Sequence, residues 1–191
     1  IVSSLTCLLE RRDANMSKHA YEVSDLVTAI AQRMNLNYQQ VSRMGIAALL
    51  HDIGKIAIPD LLLRKVGTLS AYEQTLIQDH AELGAQILEG SPFLADLAPA
   101  VRYHHEHWDG NGYPEHLAGE TIPLAARIIA VAEAYDALQR EYPYRQRRSA
   151  EEALMEIRKR AGTQFDPEVV QSFSHLVVES QKLASVPQNV G

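Results

Sequence analysis

The sequence lacks the features of several classes of protein. Its 191 residues include one cysteine, Cys7, so no disulfide can form within the chain and a disulfide-stapled domain is excluded. No apolar run approaches the ~20 residues that cross a bilayer. The first residues are apolar, but they lack the basic start and the cleavage site of a signal peptide. We therefore expect no membrane span in this chain and a cytoplasmic location.

A surplus of positive charge is also missing. Lys and Arg number 18 against 24 Asp and Glu, which gives a net charge of −6 with neutral histidines. This balance argues against broad binding to duplex nucleic acid, which requires a basic face. A small anionic ligand remains compatible with it, because bound metals and a few basic residues can create a local positive site.

Apolar residues recur at helical spacing along most of the chain, and no segment alternates as a strand does. Capping boxes at Ser70 and Ser149 and the step Asp166-Pro167 predict helices that begin at these points. Further helices are expected over residues 1–12, 23–34, 41–50, 93–103 and 124–138, and the helix from Ser70 is expected to reach about Gly90. The sequence predicts an all-α fold in a single helical domain.

One long segment breaks the helical pattern. Residues 108–123 contain three glycines and two prolines, and loops of this length in compact domains are usually functional. Residues 1–12 resemble the end of a helix arriving from upstream, which either packs on the domain or pairs with a second copy. We assign residues 13–185 to the domain and residues 186–191 to a tail. Because the chain begins with Ile, we expect it to be part of a longer protein.

The histidines suggest chemistry through their grouping. The pair His51-Asp52 taken alone suits helix capping as well as metal binding, and the adjacent imidazoles of His104-His105 suit either a metal or the surface. His80 and His19 taken singly are typical of hydrogen-bonded or solvated residues. Together they place histidines on four predicted helices, which is how helical bundles assemble metal centres. Nitrogen and oxygen ligands without thiolate suit Fe, Mn, Zn or Ni.

Three successive motifs resemble those of the HD-GYP family, a branch of the HD-domain metal phosphohydrolases. They are His51-Asp52-Ile53-Gly54-Lys55, His80-Ala81-Glu82-Leu83-Gly84 and His104-His105-Glu106-His107-Trp108-Asp109-Gly110-Asn111-Gly112-Tyr113-Pro114. The resemblance extends to residues 123–132 and 162–167 and covers most of the chain, from about residue 12 to 173. The third motif is long enough to be highly specific.

The resemblance implies a helical HD-type domain with a metal centre between its helices and a functional loop at about 108–123. It implies hydrolysis of cyclic di-GMP to pGpG, and in some members to GMP, while other members act on cyclic GMP-AMP. Two divalent cations, Fe or Mn before Zn or Ni, are expected to activate a bridging hydroxide that attacks phosphorus. The family is bacterial, and its domains commonly follow a receiver or sensor domain.

The resemblance also assigns roles to single residues. The implied metal ligands are His51, Asp52, His80, His104, His105 and Glu133, with His19 matching a histidine used where a third metal is present. Asp52 is expected to bridge the two cations, and Lys55 matches the lysine that faces the substrate phosphate. Asp52 and Lys55 are therefore the catalytic candidates. Arg145 matches a second basic position that contacts phosphate, and Arg140 is a further candidate for that contact.

The loop motif is expected to shape the entrance and to contact partner proteins. Its residues are Asp109, Gly110, Gly112, Tyr113 and Pro114. A diguanylate cyclase or another signalling protein is the expected kind of partner for residues 110–114, and a homodimer is a further expectation.

Three positions depart from the family pattern. Glu133 stands where the usual ligand is Asp, and its side chain is one methylene longer. Asn15 stands where trinuclear members carry Glu, so two metals are expected rather than three. Tyr142 stands where many members have Arg, which removes one bidentate phosphate contact. Glu133 and Tyr142 favour a competing hypothesis, a degenerate domain that binds nucleotide or protein without turnover. A general HD phosphohydrolase acting on another nucleotide is disfavoured by the loop motif.

Overall fold

The computed structural model describes residues 1–12, 14–141 and 146–184, and this part of the chain is built from α-helices. The helices are α1 Val2–Arg12, α2 Ala14–Arg33, α3 Tyr38–Leu49, α4 Asp60–Leu63, α5 Ala71–Gln78, α6 His80–Glu89, α7 Ala98–Arg102, α8 Leu124–Gln139, α9 Ala150–Lys159 and α10 Pro167–Ala184. Short 3-10 turns span Ile53–Ala57, Ala95–Leu97 and Gly119–Thr121. The described residues form no strand, only two isolated bridges. The predicted all-α class is confirmed.

The core forms where α2 packs against α3 and α8. Val23, Val27 and Ile30 recur at helical spacing on α2, and all three are fully buried. Helix α8 has no polar face over most of its length, and its Ile128 and Ile129 are fully buried as well. This packing brings the first half of α2 next to the middle of α8, which is where two of the predicted ligands lie.

The helix predicted from Ser70 to about Gly90 is interrupted once. Its beginning is as predicted, because Ser70 and Glu73 form a capping box. The backbone N–H of Asp79 donates to the carbonyls of Thr75 and Ile77, and a second helix, α6, begins at His80. The interruption places His80 at the start of a helix rather than in the middle of one.

The helix predicted over 93–103 is shorter than expected. A 3-10 turn precedes α7, which covers Ala98–Arg102 and carries Pro99 near its start. Proline has no backbone N–H to continue the hydrogen bonding of the preceding turn, so the helix begins there. The helix ends at Arg102, so His104-His105 lie in the turn after α7, not late in a helix as predicted.

Helix α1 packs on the rest of the domain. Thr6 and Leu9 are buried in its contacts with α2 and with the turn at Ile53–Ala57. The predicted helix at residues 1–12 is confirmed, whereas its pairing with a second copy stays a prediction. None of the helices described is long and apolar enough to cross a membrane.

The segment 108–123 is a loop that is tied to the connection between α9 and α10. The N–H of Trp108 donates to the Gln164 carbonyl at 3.1 Å, and the N–H of Asp109 donates to the Thr163 carbonyl at 2.9 Å. The guanidinium of Arg127 lies 5.7 Å from the centre of the Trp108 ring. These contacts fix the base of the loop against the domain.

Candidate metal centre

The seven predicted ligands converge at one place among the helices. They are His19 in α2, His51 and Asp52 after α3, His80 at the start of α6, His104 and His105 after α7, and Glu133 in α8. Four of them are almost completely buried, with exposed fractions of 3% or less: His51, Asp52, His80 and His104.

Three of the imidazoles are oriented by the same kind of hydrogen bond. In each, Nδ1 donates to the carbonyl oxygen three residues earlier at 2.6 Å; the pairs are His51 with Ala48, His80 with Ile77 and His104 with Val101. Because a carbonyl oxygen can only accept, Nδ1 carries the proton in all three rings and Nε2 keeps its lone pair. Proteins commonly orient metal-binding histidines in this way.

The ligand atoms form two groups. In the first, nitrogens of His80, His104 and His105 all lie within 4.8 Å of one another. In the second, the same limit holds for His19, His51 and a carboxylate oxygen of Glu133. Each group offers three donors, which is enough to hold one divalent cation with room for a further ligand.

Asp52 lies between the two groups. Its Oδ1 is 3.4 Å from His80 Nε2, and its Oδ2 is 3.5 Å from His51 Nε2. When two ligand atoms bind the same cation, each at about 2.1 Å, the two atoms lie about 3.0–3.4 Å apart. Each oxygen is therefore placed to share a cation with a different histidine, as a bridging carboxylate requires.

Buried polar atoms without hydrogen-bond partners also indicate a metal site. Among the described residues, His51 Nε2, His104 Nε2 and Asp52 Oδ1 are buried and have no hydrogen-bond partner. A buried polar atom left unpaired costs about 1–3 kcal/mol, so three such atoms in one cluster need a partner that the protein itself does not supply. The residues fit a divalent metal, and their neutral nitrogen and carboxylate donors suit Fe, Mn, Zn or Ni.

Burial also sets the protonation states. It lowers the pKa of His80, and it lowers the pKa of His104 and of His105 well below the usual range, with the neighbouring imidazoles of the cluster adding to the effect at the latter two. Burial raises the pKa of Asp52, but the charge of Lys55 and the nearby imidazoles outweigh it and hold that pKa well below its usual range. The site therefore presents neutral nitrogens and an ionised carboxylate, the forms that bind metals.

Lys55 is held at the site by the turn that follows Asp52. Its Nζ donates to Asp52 Oδ2 at 2.7 Å. The turn packs so closely on α6 that a Cβ on Gly54 would overlap the His80 carbonyl and lie 2.5 Å from the Gly84 nitrogen. The glycine therefore lets the first two motifs lock together, which sets Asp52 beside His80.

The loop motif covers the first ligand group. The Tyr113 ring stacks on the His105 ring with centroids 4.8 Å apart, and the Tyr113 N–H donates to the His105 carbonyl. The buried Glu106 accepts the Glu115 N–H at 2.7 Å. Gly112 is needed for this fold, because a Cβ there would lie 2.5 Å from the Glu106 Cα. Tyr113 thus forms one wall of the site.

The other residues of the loop motif face outward. Asp109 and Pro114 are exposed, and Gly110 is half-buried. The Asp109 carboxylate accepts the Asn111 N–H at 3.0 Å, which stabilises the loop locally. None of these three residues supplies a ligand atom to the two groups.

Asp136 belongs to the site although no motif marked it. Its Oδ2 lies 2.6 Å from His19 Nδ1. Burial raises the pKa of Asp136, but the hydrogen bonds from His19 and Arg140 outweigh this effect and lower the pKa. The carboxylate is therefore ionised and accepts a hydrogen bond from the Nδ1–H of His19. Nε2 of His19 is left for a metal. Asp136 follows Glu133 by three positions on α8, a spacing that places both on one helix face and could have identified it.

The predicted phosphate contacts are placed differently from the ligands. Arg140 donates to Asp136 at 2.6 Å and to Glu22 at 2.9 Å, so its guanidinium is engaged by two carboxylates. Arg145 and Tyr142 lie outside the described residues. For Asn15 the structure describes only the backbone, within α2.

A family model described as HD domain matches residues 3–169 of the chain. The chain belongs to the HD domain family. The match covers all three motifs and confirms the family predicted from them. His51-Asp52 lies within the matched residues.

Two curated relatives resemble this HD domain over most of its length. A cyclic di-GMP phosphodiesterase of Thermotoga maritima is 39% identical over 181 residues, which cover 94% of this chain and 49% of the relative. The cyclic di-GMP phosphodiesterase response regulator RpfG of Xanthomonas campestris is 39% identical over 171 residues, which cover 88% and 45%. The HD domain thus spans about half the length of the curated relatives it matches.

A solved structure shares the fold. The crystal structure of a cyclic GMP-AMP-specific phosphodiesterase of V. cholerae matches with a TM-score of 0.71 at 27% identity, and the match covers 96% of this chain and 49% of that one. The HD-type helical fold predicted from the motifs is therefore confirmed.

Proposed function

We propose that this HD domain is a metal-dependent phosphodiesterase that hydrolyses cyclic di-GMP to pGpG and further to GMP. The observation that carries the proposal is the position of Asp52, which has one oxygen toward each of two groups of metal-binding atoms. The two curated relatives described above, both named as cyclic di-GMP phosphodiesterases, support the substrate.

The site would hold two divalent cations, with Fe or Mn preferred and Zn or Ni as alternatives. The first group, His80, His104 and His105, would hold one cation, and the second group, His19, His51 and Glu133, would hold the other, with Asp52 shared. When bound, such cations lower the pKa of water toward neutrality and stabilise negative charge on phosphate oxygens. Glu133 supplies the same hard oxygen ligand as the family's usual Asp, from a longer side chain.

Lys55 would bind the phosphate that is cleaved. Its ammonium group lies 2.7 Å from Asp52 and remains 23% exposed, so it can contact a phosphate oxygen without leaving the carboxylate. The partly buried surroundings strengthen this attraction relative to water. Stacked on His105, Tyr113 limits the access of solvent on its side. Cleavage by water in line with the leaving 3′ oxygen needs no covalent bond to the protein.

A large cavity beside Asp136 gives the nucleotide room. Its volume is about 830 Å³, within the range of about 300–1,000 Å³ typical of small-molecule sites. The basic residues Lys18, Arg140 and Arg147 line it, together with the acidic Glu22, Asp25, Asp136 and Glu141. Arg145, which lies outside the described residues, stays a predicted phosphate contact.

Cyclic GMP-AMP is the second candidate substrate. The likeness to the V. cholerae structure, a cyclic GMP-AMP-specific enzyme, favours its inclusion. Competition between the two cyclic dinucleotides, with initial rates measured at equal concentration, decides the preference. A degenerate domain without turnover is not favoured, because the relatives are named as enzymes and the ligand set is complete.

Other expectations stay predictions. These are an upstream receiver or sensor domain, a homodimer, a cytoplasmic location, and a signalling protein such as a diguanylate cyclase bound to residues 110–114. The exposure of Asp109 and Pro114 is compatible with the last of these.

The test of the proposed function is product analysis. Protein purified without oxygen and loaded with Fe or Mn is incubated with cyclic di-GMP, and the products are separated by chromatography. We expect pGpG first and GMP later, and we expect Asp52→Asn to lower the rate by about 100-fold or more. Asp96→Asn, which removes an exposed carboxylate elsewhere, should leave the rate unchanged. No product from the metal-loaded wild type, beside an active control enzyme, would contradict the proposal.

A further inference from the structure

His105 is oriented differently from the other imidazoles of the metal centre. Those other rings each donate from Nδ1 to an oxygen of the protein; they belong to His19, His51, His80 and His104. The His105 ring makes no hydrogen bond to an oxygen of any described residue, and the Glu133 carboxylate lies 4.0 Å from its Nδ1. The orientation of this ring is therefore set by packing.

Tyr113 is the side chain outside the ligand set that packs on His105 in the described part of the chain. The two rings are stacked, with centroids 4.8 Å apart and an angle of 27° between their planes. The Tyr113 N–H also donates to the His105 carbonyl at 3.2 Å. Stacked aromatic rings attract each other by about 0.5–1.5 kcal/mol beyond the area that they bury. A Tyr113 that is held in place therefore restricts rotation of the His105 ring.

Glu106 holds the part of the loop that carries Tyr113. The Glu106 side chain is buried, and its Oε1 accepts the N–H of Glu115, two residues after Tyr113, at 2.7 Å. Gly112, one residue before Tyr113, lies so close that a Cβ there would be 2.5 Å from the Glu106 Cα. The loop is thus in contact with Glu106 on both sides of Tyr113.

Stability alone does not account for a carboxylate at position 106. Glu106 Oε2 is buried and has no hydrogen-bond partner among the described residues. Such an atom costs about 1–3 kcal/mol, a cost that an apolar side chain of similar size would avoid. Glu106 also supplies no atom to the two ligand groups. What the carboxylate does provide is a fixed acceptor for the loop.

We propose that Glu106 is a positioning residue of the metal centre. By binding the loop it holds Tyr113 on the His105 ring, and this keeps the His105 Nε2 beside that of His80, 3.3 Å away. The inference rests on the proposed function, because it assumes that the first ligand group holds a cation. It assigns a role in metal binding to a residue that contributes no ligand atom.

The first test is binding of Mn, which does not depend on turnover. Glu106→Met keeps the size of the buried side chain but removes the acceptor. Calorimetry should show the cation of the first group bound about tenfold more weakly, the low end of the roughly 10–100-fold typical for the loss of residues that orient a ligand. Glu106→Gln keeps an acceptor oxygen and should recover most of the affinity. Glu120→Met makes the same change at an exposed position of the loop and should bind Mn as the wild type does.

A double-mutant cycle tests whether Glu106 acts through Tyr113. Tyr113→Ala should weaken the same cation by a similar factor, whereas Tyr113→Phe keeps the stacked ring and should bind Mn as the wild type does. Because both residues act on one histidine, Glu106→Met combined with Tyr113→Ala should lose no more than the larger single loss. Losses that multiply would show independent effects and would overturn the proposal.

Hydrogen exchange in the metal-free protein tests the attachment of the loop. The Glu115 amide should exchange about tenfold faster in Glu106→Met than in the wild type, because its hydrogen bond is lost. Equal exchange, or unchanged Mn binding in Glu106→Met, overturns the proposal. If Glu106→Met does not fold, the wild type decides: a protected Glu115 amide supports the attachment, and an unprotected one overturns it.

Failure of the proposed function is seen separately. A wild type that binds two Mn ions but cleaves neither cyclic dinucleotide contradicts the proposed function, while the Mn titrations still decide the role of Glu106. A wild type that is active while Glu106→Met binds Mn normally overturns only the role of Glu106.

Discussion

At the scale of single residues, the centre depends on which nitrogen of each imidazole carries the proton. For His51, His80 and His104 that choice is made by backbone carbonyls, which no substitution of a side chain removes. For His19 it is made by the Asp136 carboxylate. Of these four, His19 is therefore the one whose hydrogen bond a mutation can test.

Asp136→Ala should weaken the binding of the cation held by the second group. Without the carboxylate the His19 ring can turn and change its tautomer, and losses of this kind typically cost about 10–100-fold in metal affinity. Asp136→Asn, whose amide oxygen can still accept the Nδ1 proton, should lose less. Titration with Mn followed by metal analysis measures the change.

Glu22→Gln is the control for Asp136, because it removes the other ion pair of Arg140 without touching His19. It should bind metal as the wild type does. Equal metal affinity in Asp136→Ala and the wild type would show that His19 is not oriented through this contact.

Glu133 is the residue in which the centre departs from its family. Glu133→Asp should keep metal binding and activity, because a carboxylate remains between His19, His51 and His105. Glu133→Gln should lower metal affinity by more than about tenfold, since a neutral amide is a weaker ligand. Metal content and rate are measured on the same preparations. Activity that arises only in Glu133→Asp, from an inactive wild type, would favour the degenerate domain.

At the scale of elements, five of the seven predicted ligands lie where helices end or begin, whereas His19 and Glu133 lie within α2 and α8. The turn after α3 presents His51 and Asp52, and its continuation through Gly54 lies against the start of α6. The spacing between Asp52 and His80 is thus set by a backbone contact between two elements. Even with every ligand side chain present, the metal centre would not form if this backbone contact were lost.

Gly54→Ala should damage both the fold and the centre. Its Cβ would overlap the His80 carbonyl, and overpacking of this kind costs about 1–3 kcal/mol or more of unfolding free energy. Metal content should fall as well, because His80 must move. Chemical denaturation and metal analysis report the two effects.

Gly90→Ala provides the matched control. Gly90 lies at the end of α6, the helix against which Gly54 packs. Its φ is −64°, and a Cβ there would lie 3.4 Å from its nearest neighbour, an ordinary contact. The substitution should leave the metal content unchanged and should raise stability by about 0.4–1 kcal/mol. If Gly54→Ala were as stable as Gly90→Ala and kept its metal, the close packing of the turn on α6 would not matter.

Local sequence signals of a few residues were sufficient to predict where several helices begin. The capping boxes at Ser70 and Ser149 and the Asp-Pro step before α10 each fix a helix start by local hydrogen bonding, and the structure has all three. The interruption at Asp79 was not predictable, because it accompanies a bond from His80 to the backbone. The site shows the same contrast. The resemblance of the motifs to those of the HD-GYP family predicted the ligands, but the approach of Asp136 to His19 depends on how α8 packs on α2.

At the scale of the whole molecule, bound cations would contribute to stability as well as to chemistry. It lies between α2, α3, α6, α7 and α8, so bound cations would link helices that are distant in sequence. A ligand that binds only the folded state stabilises it in proportion to its affinity. The folded domain should therefore lose stability when its metals are removed.

Chelation should lower the midpoint of thermal unfolding. A cation present at 100 times its Kd contributes about 2.7 kcal/mol, and in a domain of this size each kcal/mol moves the midpoint by about 2–4 °C. We expect a fall of about 5–10 °C that added Mn reverses. Scanning calorimetry with and without chelator measures it, and Asp52→Asn should show a smaller shift. An unchanged midpoint in the wild type would mean that the cluster binds no metal with useful affinity.

The most direct measurement is the number and position of the metal ions in the protein itself. Protein purified without oxygen is analysed for metal content and crystallised, and anomalous scattering is collected at the absorption edge of the element found. We expect two ions per chain, one beside His80, His104 and His105 and one beside His51 and Glu133, with Asp52 bound to both. A single ion, or ions that do not contact Asp52, would contradict it.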